Sequence, residues 1–162
     1  MAGTHQKREA VLILHDIRSE HNVGSLFRTA DAAGVAKVYL TGYTPAPIDR
    51  FGRPAKTIAK VALGGEQLPW ERCASGAALL TRLRKVGYFI VAIEQDARAV
   101  DYKKAKLPRG KVAFVLGNEV GGISQSLLKR ADAIAFIPMR GKKESLNVSV
   151  AGGIALFRML GI

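Results

Sequence analysis

Three short segments of this 162-residue sequence set polar side chains beside glycine, in patterns that could hold a ligand and act on it. The first is IRSEHNVGSLFRTADAAG, with Asn22, Gly24 and Arg28. Gly24 permits a close backbone approach, and Arg28 follows one helical turn later on the same face. A guanidinium is permanently charged and donates five hydrogen bonds, which suits it to gripping phosphate. Read alone, Arg28 is better explained as a solvated helix charge, and Asn22 equally well as a helix cap. The second segment, LGNEVGG, surrounds the Glu119 carboxylate and Asn118 with Gly117, Gly121 and Gly122. An ordinary strand-to-helix turn needs one glycine; three make a tight loop that can lie against a flat ligand. It is neither the G-x-G-x-x-G dinucleotide fingerprint nor a P-loop. The third, IPMRGKKESLNVSVAGGIALF, carries a basic turn over residues 140–145, then Ser145 and Asn147 at the start of a small-residue helix. Capping explains Ser145 and Asn147 as well as ligand contact does.

The elements that would position these segments are legible as alternating patterns. VLILHDI (residues 11–17), KVYLTG (37–42), YFIVAIE (88–94), KVAFVLG (111–117) and AIAFIP (133–138) read as buried strands. Apolar spacing of three and four predicts helices over 22–34, 75–86 and 124–131, with Ser124 as N-cap, and a last helix over about 147–160. Residues 43–54 and 97–110 read as loops. Near-continuous apolar strands separated by helices predict an α/β fold, a mostly parallel sheet with helices on both faces. In such sheets ligands bind beyond the carboxyl ends of the strands, where all three polar segments fall. Ala151, Gly152, Gly153 and Ala155 leave the last helix intrinsically weak, so close packing by another backbone must compensate.

Composition bounds the rest. The length fits a single domain over residues 1–162 with its own core. Twenty-five Lys and Arg against thirteen Asp and Glu give a formal net charge of +12, which favours a polyanionic partner, nucleic acid before an acidic membrane surface. Cys73 is the sole cysteine, so no intramolecular disulfide or multi-cysteine zinc site is possible. His5, His15 and His21 lack metal-ligand spacing, so no metal is expected. No apolar run is long enough to span a bilayer and the start lacks a signal-peptide pattern, which makes the cytoplasm the expected location.

In this order and at this spacing, NVGSLFRTADAAG, FVLGNEVGGIS and IPMRGKKESLNVSVAGGIALF resemble the motifs of the SpoU/TrmH family of RNA ribose 2′-O-methyltransferases, part of the knotted SPOUT superfamily. The resemblance runs from about Val11 to the C-terminus. Many relatives carry a further RNA-binding segment, and the present sequence extends little beyond the shared core. What the resemblance implies is a C-terminal deep trefoil knot, a topology that generic connection rules would exclude. It further implies a homodimer with the active site between subunits, S-adenosyl-L-methionine as cofactor, and tRNA or rRNA as substrate. Carried over residue by residue, the catalytic candidates are Asn22, Arg28, Glu119, Ser145 and Asn147. The cofactor would meet Ala92, Ile93 and Glu94, then Gly117, Asn118, Glu119 and Gly121, then Ile137, Met139, Ser145 and Leu146.

Arg28, Arg50, Arg53, Arg140, Lys142 and Lys143 are the residues expected to hold RNA, with Lys56 beside them. Aromatic residues are few and no basic-aromatic platform is visible, so recognition is expected to rest on backbone charge and RNA shape. Two other functions compete with the enzyme reading. A non-catalytic RNA-binding module derived from such an enzyme would have no need of the catalytic set, and a methyltransferase acting on protein or small molecules would have no need of the charge.

Overall fold

The computed structural model describes residues 8–162, so His5 lies outside the described residues. In chain order the elements are β1 (Glu9–His15), α1 (Glu20–Ala32), β2 (Lys37–Thr41), α2 (Lys56–Ala62), β3 (Trp70–Cys73), α3 (Gly76–Lys85), β4 (Phe89–Ile93), β5 (Val100–Asp101), β6 (Lys111–Leu116), α4 (Gln125–Leu128), β7 (Ala133–Phe136) and α5 (Val148–Leu160). A 3-10 turn, Gly65–Gln67, follows α2. The strands form one seven-stranded sheet in the order β3-β2-β1-β6-β4-β7-β5, and every pairing is parallel.

Successive side chains of β1 point to opposite faces, and both faces are covered, which is why VLIL has no polar alternate. Leu12 and Leu14 join Leu26 and Phe27 of α1, Ile58 of α2, Phe114 and Leu116 of β6, and Leu156 of α5. Val11 and Ile13 pack on the other side with Leu79 and Leu83 of α3, Val115 of β6 and Leu127 of α4. Phe27 and Phe114, both fully buried, each contribute about 1.5–3 kcal/mol relative to exposure.

The five apolar runs are the five inner or longer strands. Two further strands lie at the edges. Trp70–Cys73 is short and polar, pairing with β2 alone, and its residues are only partly covered. Val100–Asp101, inside the stretch read as a loop, is a two-residue edge strand on β7. Helix α2 was likewise not expected, because Lys56–Ala62 buries only Ile58 and Ala62 and so shows little periodicity. Ser124 stands at the N-cap of α4, but its side chain makes no capping bond.

Glycine sets the closest contacts. A Cβ on Gly24 would lie 2.9 Å from the Ile58 carbonyl oxygen, so the close approach inferred there is α1 against α2 and not against a ligand. A Cβ on Gly152 would meet Leu26 at 2.6 Å and Leu116 at 2.8 Å. Gly152 and Ala155 are therefore consumed in seating α5 on α1 and the sheet within one chain. Among the described residues no helix is long and apolar enough to cross a membrane.

Candidate active site

The carboxyl ends of β1, β4, β6 and β7 lead into loops that meet on one side of the sheet. Helix α1 starts earlier than the sequence suggests. Ser19 is its N-cap, accepting from the Asn22 backbone N–H at 3.1 Å. Asn22 is therefore not the cap but a first-turn residue, buried, with its amide turned toward the loop after β6. There Asn22 Nδ2 donates to Glu119 Oε1 at 3.1 Å. The Ser19 N–H donates to the same oxygen at 3.2 Å, and the Arg18 N–H donates to Oε2 at 3.1 Å. From the third segment, Asn147 Nδ2 donates to Asn22 Oδ1 at 3.1 Å. Asn147 also caps α5, its Oδ1 accepting from the Ser149 N–H at 2.9 Å. Capping and site contact, alternatives in the sequence, are both made by opposite ends of one amide.

The result is a chain of hydrogen bonds, Glu119 to Asn22 to Asn147, joining positions 97 and 125 residues apart. Partial burial on its own would raise the Glu119 pKa. The donors from Arg18, Asn22, Ser19 and its own backbone outweigh that and hold the carboxyl below its ordinary value. Glu119 is thus an ionised acceptor already filled by fixed donors. It clamps loops and is poorly placed to take a proton from anything else.

The rest of the β6–α4 loop is ordered by its own polar groups. Asn118 Oδ1 accepts from the Gly121 N–H at 2.7 Å and the Val120 N–H at 2.9 Å. Its Nδ2 donates to the Asp16 carbonyl at 2.8 Å and the Tyr43 hydroxyl at 2.7 Å. Glu94, at the end of β4, accepts from the Ile123 N–H at 2.9 Å. A Cβ on Gly117 would lie 2.6 Å from the Gly122 carbonyl carbon and from Ile123 Cγ1. A side chain at position 117 would push the loop apart.

Between these loops lies an open cavity of about 140 Å³. Ile93, Glu94, Gly117, Asn118, Glu119, Ile137, Met139, Ser145 and Leu146 all line it, together with Leu116, Gly122 and Val148. Ala92 does not: it is buried in the core on the α3 side. Gly121 also stays outside the lining, its N–H held by Asn118. Gln95, Leu116, Val120, Val148 and Ala151 are lining residues that the sequence reading missed. Gln95 was within reach, since it follows Glu94 directly. Its amide donates to the Ile137 carbonyl at 2.9 Å, tying the β4 and β7 ends together. Among the described residues no Lys or Arg lines the cavity, while Glu94 and Glu119 do.

Arg28 lies elsewhere. It is exposed on α1, away from the cavity lining, and its backbone is pressed by Gly65 of the 3-10 turn, where a Cβ would sit 2.8 Å from the Arg28 Cα. Among the described residues its side chain makes no hydrogen bond or ion pair. Arg140, Lys142 and Lys143 are exposed on the segment leading from Met139 at the cavity into α5. Arg50 and Arg53 line a second groove with Lys56 and Arg72. His15 is held by Thr41 and Asp16, and among the described residues no cluster of His, Cys, Asp and Glu could hold a metal.

Comparison with known proteins gives a consistent result. The model of the SpoU rRNA Methylase family matches residues 9–157. The 23S rRNA (guanosine-2′-O-)-methyltransferase RlmB of Vibrio vulnificus (strain CMCP6) is 38% identical over 148 residues, covering 91% of this chain and 57% of that protein. The chain therefore spans little more than half the length of this curated relative. An AdoMet-bound rRNA methyltransferase from Sinorhizobium meliloti superposes with a TM-score of 0.85 at 32% identity, over 95% of this chain and 56% of the other. A TrmH/SpoU tRNA modifying enzyme of A. aeolicus does so at 0.81 and 26%, over 96% and 77%.

Proposed function

This chain belongs to the SpoU rRNA Methylase family, and from that premise we propose that it transfers the methyl group of S-adenosyl-L-methionine to a ribose 2′-hydroxyl of ribosomal or transfer RNA. The observation that carries the reading is the Glu119–Asn22–Asn147 chain, which locks three segments around a cavity bearing two carboxylates and, among the described residues, no basic side chain. On a chain of net charge +12, that separates a site fit for a cationic sulfonium from a surface fit for a polyanion.

The donor set fits the cofactor. Apolar Leu116, Ile137, Met139 and Leu146 with the flat backbone at Gly117 and Gly122 would hold the adenosine portion, and Glu94 and Gln95 would meet its polar edges. When bound, S-adenosyl-L-methionine supplies an electrophilic methyl group, which leaves positioning and proton removal to the protein. Glu119, filled by its donors, keeps Asn22 in place, and Asn22 orients Asn147. Ser145, exposed at the cavity mouth, orients the ribose. Arg28 has no acceptor lone pair, so it grips the substrate phosphate and stabilises the developing alkoxide, with that phosphate as proton relay.

Arg28 stands outside the cavity of its own chain, and this supports a homodimer in which a second subunit completes the site. Beside α1, the outer face of α5 leaves Val150 exposed and Ile154 and Phe157 partly so, an apolar surface suited to a second copy. The C-terminal trefoil knot belongs to the same reading, and the place of β7 between β4 and β5, two strands consecutive in the chain, supports it. The 162 residues are read as one such catalytic domain, working in the cytoplasm where its RNA is. Mapping ribose methylation in ribosomal and transfer RNA from a deletion strain tests the function: one 2′-O-methyl position should disappear and return with the wild-type gene. An unchanged map would reject it.

A further inference from the structure

The turn between β2 and α2 carries an element that the reaction does not account for. Ile48 and Pro54 bridge in antiparallel fashion, and the Asp49 carboxylate staples the turn between them. Asp49 Oδ1 accepts from the Phe51 N–H at 2.8 Å and the Arg53 N–H at 2.9 Å, while Arg53 Nε donates to Oδ2 at 2.8 Å. Gly52, with φ of 76°, lets the chain reverse. This fixed turn holds Phe51 outward, 66% exposed. The Arg50 and Arg53 guanidiniums lie 4.7 Å and 5.0 Å from the centroid of its ring. This exposed ring belongs to neither hydrophobic cluster of the core and has the two guanidiniums of its own turn over it.

The same turn walls the second groove. Arg50, Arg53, Lys56 and Arg72 line it against only Glu20 and Asp49, and Asp49 is already paired with Arg53. The groove neighbours the active site through the start of α1: Glu20 lines it, and the backbone N–H of the preceding Ser19 donates to Glu119 at the cavity. Tyr43, at the start of the turn segment and 58% exposed, shares its hydroxyl with Asn118 of the cavity loop.

We propose that Phe51, flanked by Arg50 and Arg53, stacks an unpaired nucleobase of the substrate RNA while the groove beside it takes the neighbouring phosphates. Aromatic rings stack any base, and adjacent guanidiniums add cation–π and phosphate contacts. The expectation of recognition by charge and shape more than by stacking is thereby extended: one stacking site is formed from a residue whose surroundings only the fold reveals. The proposal rests on the methyltransferase reading for the identity of its ligand.

The test measures binding of two probes to the full chain, with no turnover required. One probe is a short single-stranded oligoribonucleotide carrying a fluorescent purine analogue, the other an RNA duplex of equal length. Phe51→Leu should weaken single-strand binding by about 5- to 150-fold, the range for losing one stacked base, and abolish quenching of the analogue. Phe51→Trp should restore both. Duplex binding should not change in either variant. Because Phe51 is exposed, unaltered melting is expected and serves as the folding control. Single-strand affinity unchanged in Phe51→Leu would overturn the proposal, as would an equal loss on duplex. A lower mass by light scattering in Phe51→Leu would assign the ring to a contact between copies and would also overturn it. Failure of the wild-type chain to methylate any RNA would remove the functional reading without touching these binding outcomes.

Discussion

Replacing Glu119 by Gln perturbs the site at its most connected atom pair. One carboxylate oxygen serves Ser19 and Asn22, and the other serves Arg18. Whichever way the new amide turns, its NH2 faces an N–H. The least costly arrangement sacrifices the exposed Arg18 contact, which water can replace, and keeps two bonds to a neutral oxygen. Hydrogen bonds to a charged group contribute about 1.5–3 kcal/mol and neutral ones about 0.5–1.5, so the loss over two bonds is about 2 kcal/mol. For a chain of this size that corresponds to a drop in melting temperature of about 4–8 °C. The pH dependence is diagnostic. The Glu119 pKa is depressed below 4.5 in the fold, so its contribution is present above that value and is lost as pH falls through the folded pKa. Thermal unfolding of wild type and Glu119→Gln at fixed protein concentration should therefore differ at neutral pH and converge in acid. S-adenosylmethionine affinity by calorimetry should fall with the loosened loop. Equal melting at neutral pH, or a difference that persists unchanged into acid, would refute the clamp.

Further expectations follow from other contacts. Gly152→Ala gains about 1 kcal/mol of helix propensity but must displace Leu26 and Leu116, overpacking that costs about 1–3 kcal/mol; net destabilisation of up to about 2 kcal/mol should appear in denaturant melts. Gly117→Val should reduce stability as well as cofactor binding, because its Cβ meets the Gly122–Ile123 backbone and side chain first, a result read by calorimetry and melting together. The Glu71 pKa falls to about 2, first through its bond from Lys37 and then that from Arg82. Glu71→Gln should thus cost at most about 1 kcal/mol at neutral pH, given the exposure of the pairs, a cost that fades below pH 4.5 and is gone once pH has fallen below about 2. Arg140→Ala and Lys142→Ala should each reduce the slope of log RNA affinity against log salt by about 0.7, with cofactor affinity unchanged.

The inner sheet was readable because strands covered on both faces must be apolar throughout, and 11–14 and 112–116 are. Edge strands escape that demand: Trp70–Cys73 and Val100–Asp101 need only one neighbour, so their sequences carry no comparable pattern. Strand order is invisible locally, since it depends on which runs meet across long separations. The site divides in the same way. Asn22, Glu119 and Asn147 could be singled out by type and by their glycine-rich surroundings, but not their mutual hydrogen bonds, which link three distant segments. Asn22 shows the difficulty: an Asn at a helix start reads as a cap until Ser19 is seen to occupy that place. Ala92 was misplaced by a single strand alternation, for its side chain points to the α3 face while its neighbours Ile93 and Glu94 border the cavity.

The central claim is tested most directly by incubating the purified chain with methyl-labelled S-adenosylmethionine and ribosomal and transfer RNA from a strain lacking the gene. The account predicts label in one RNA species, recovered after digestion as a 2′-O-methylnucleoside whose 3′ linkage resists alkali, and lost in Arg28→Ala at undiminished cofactor affinity. Label recovered on a base or in protein, or none in any RNA while the cofactor binds, would contradict it.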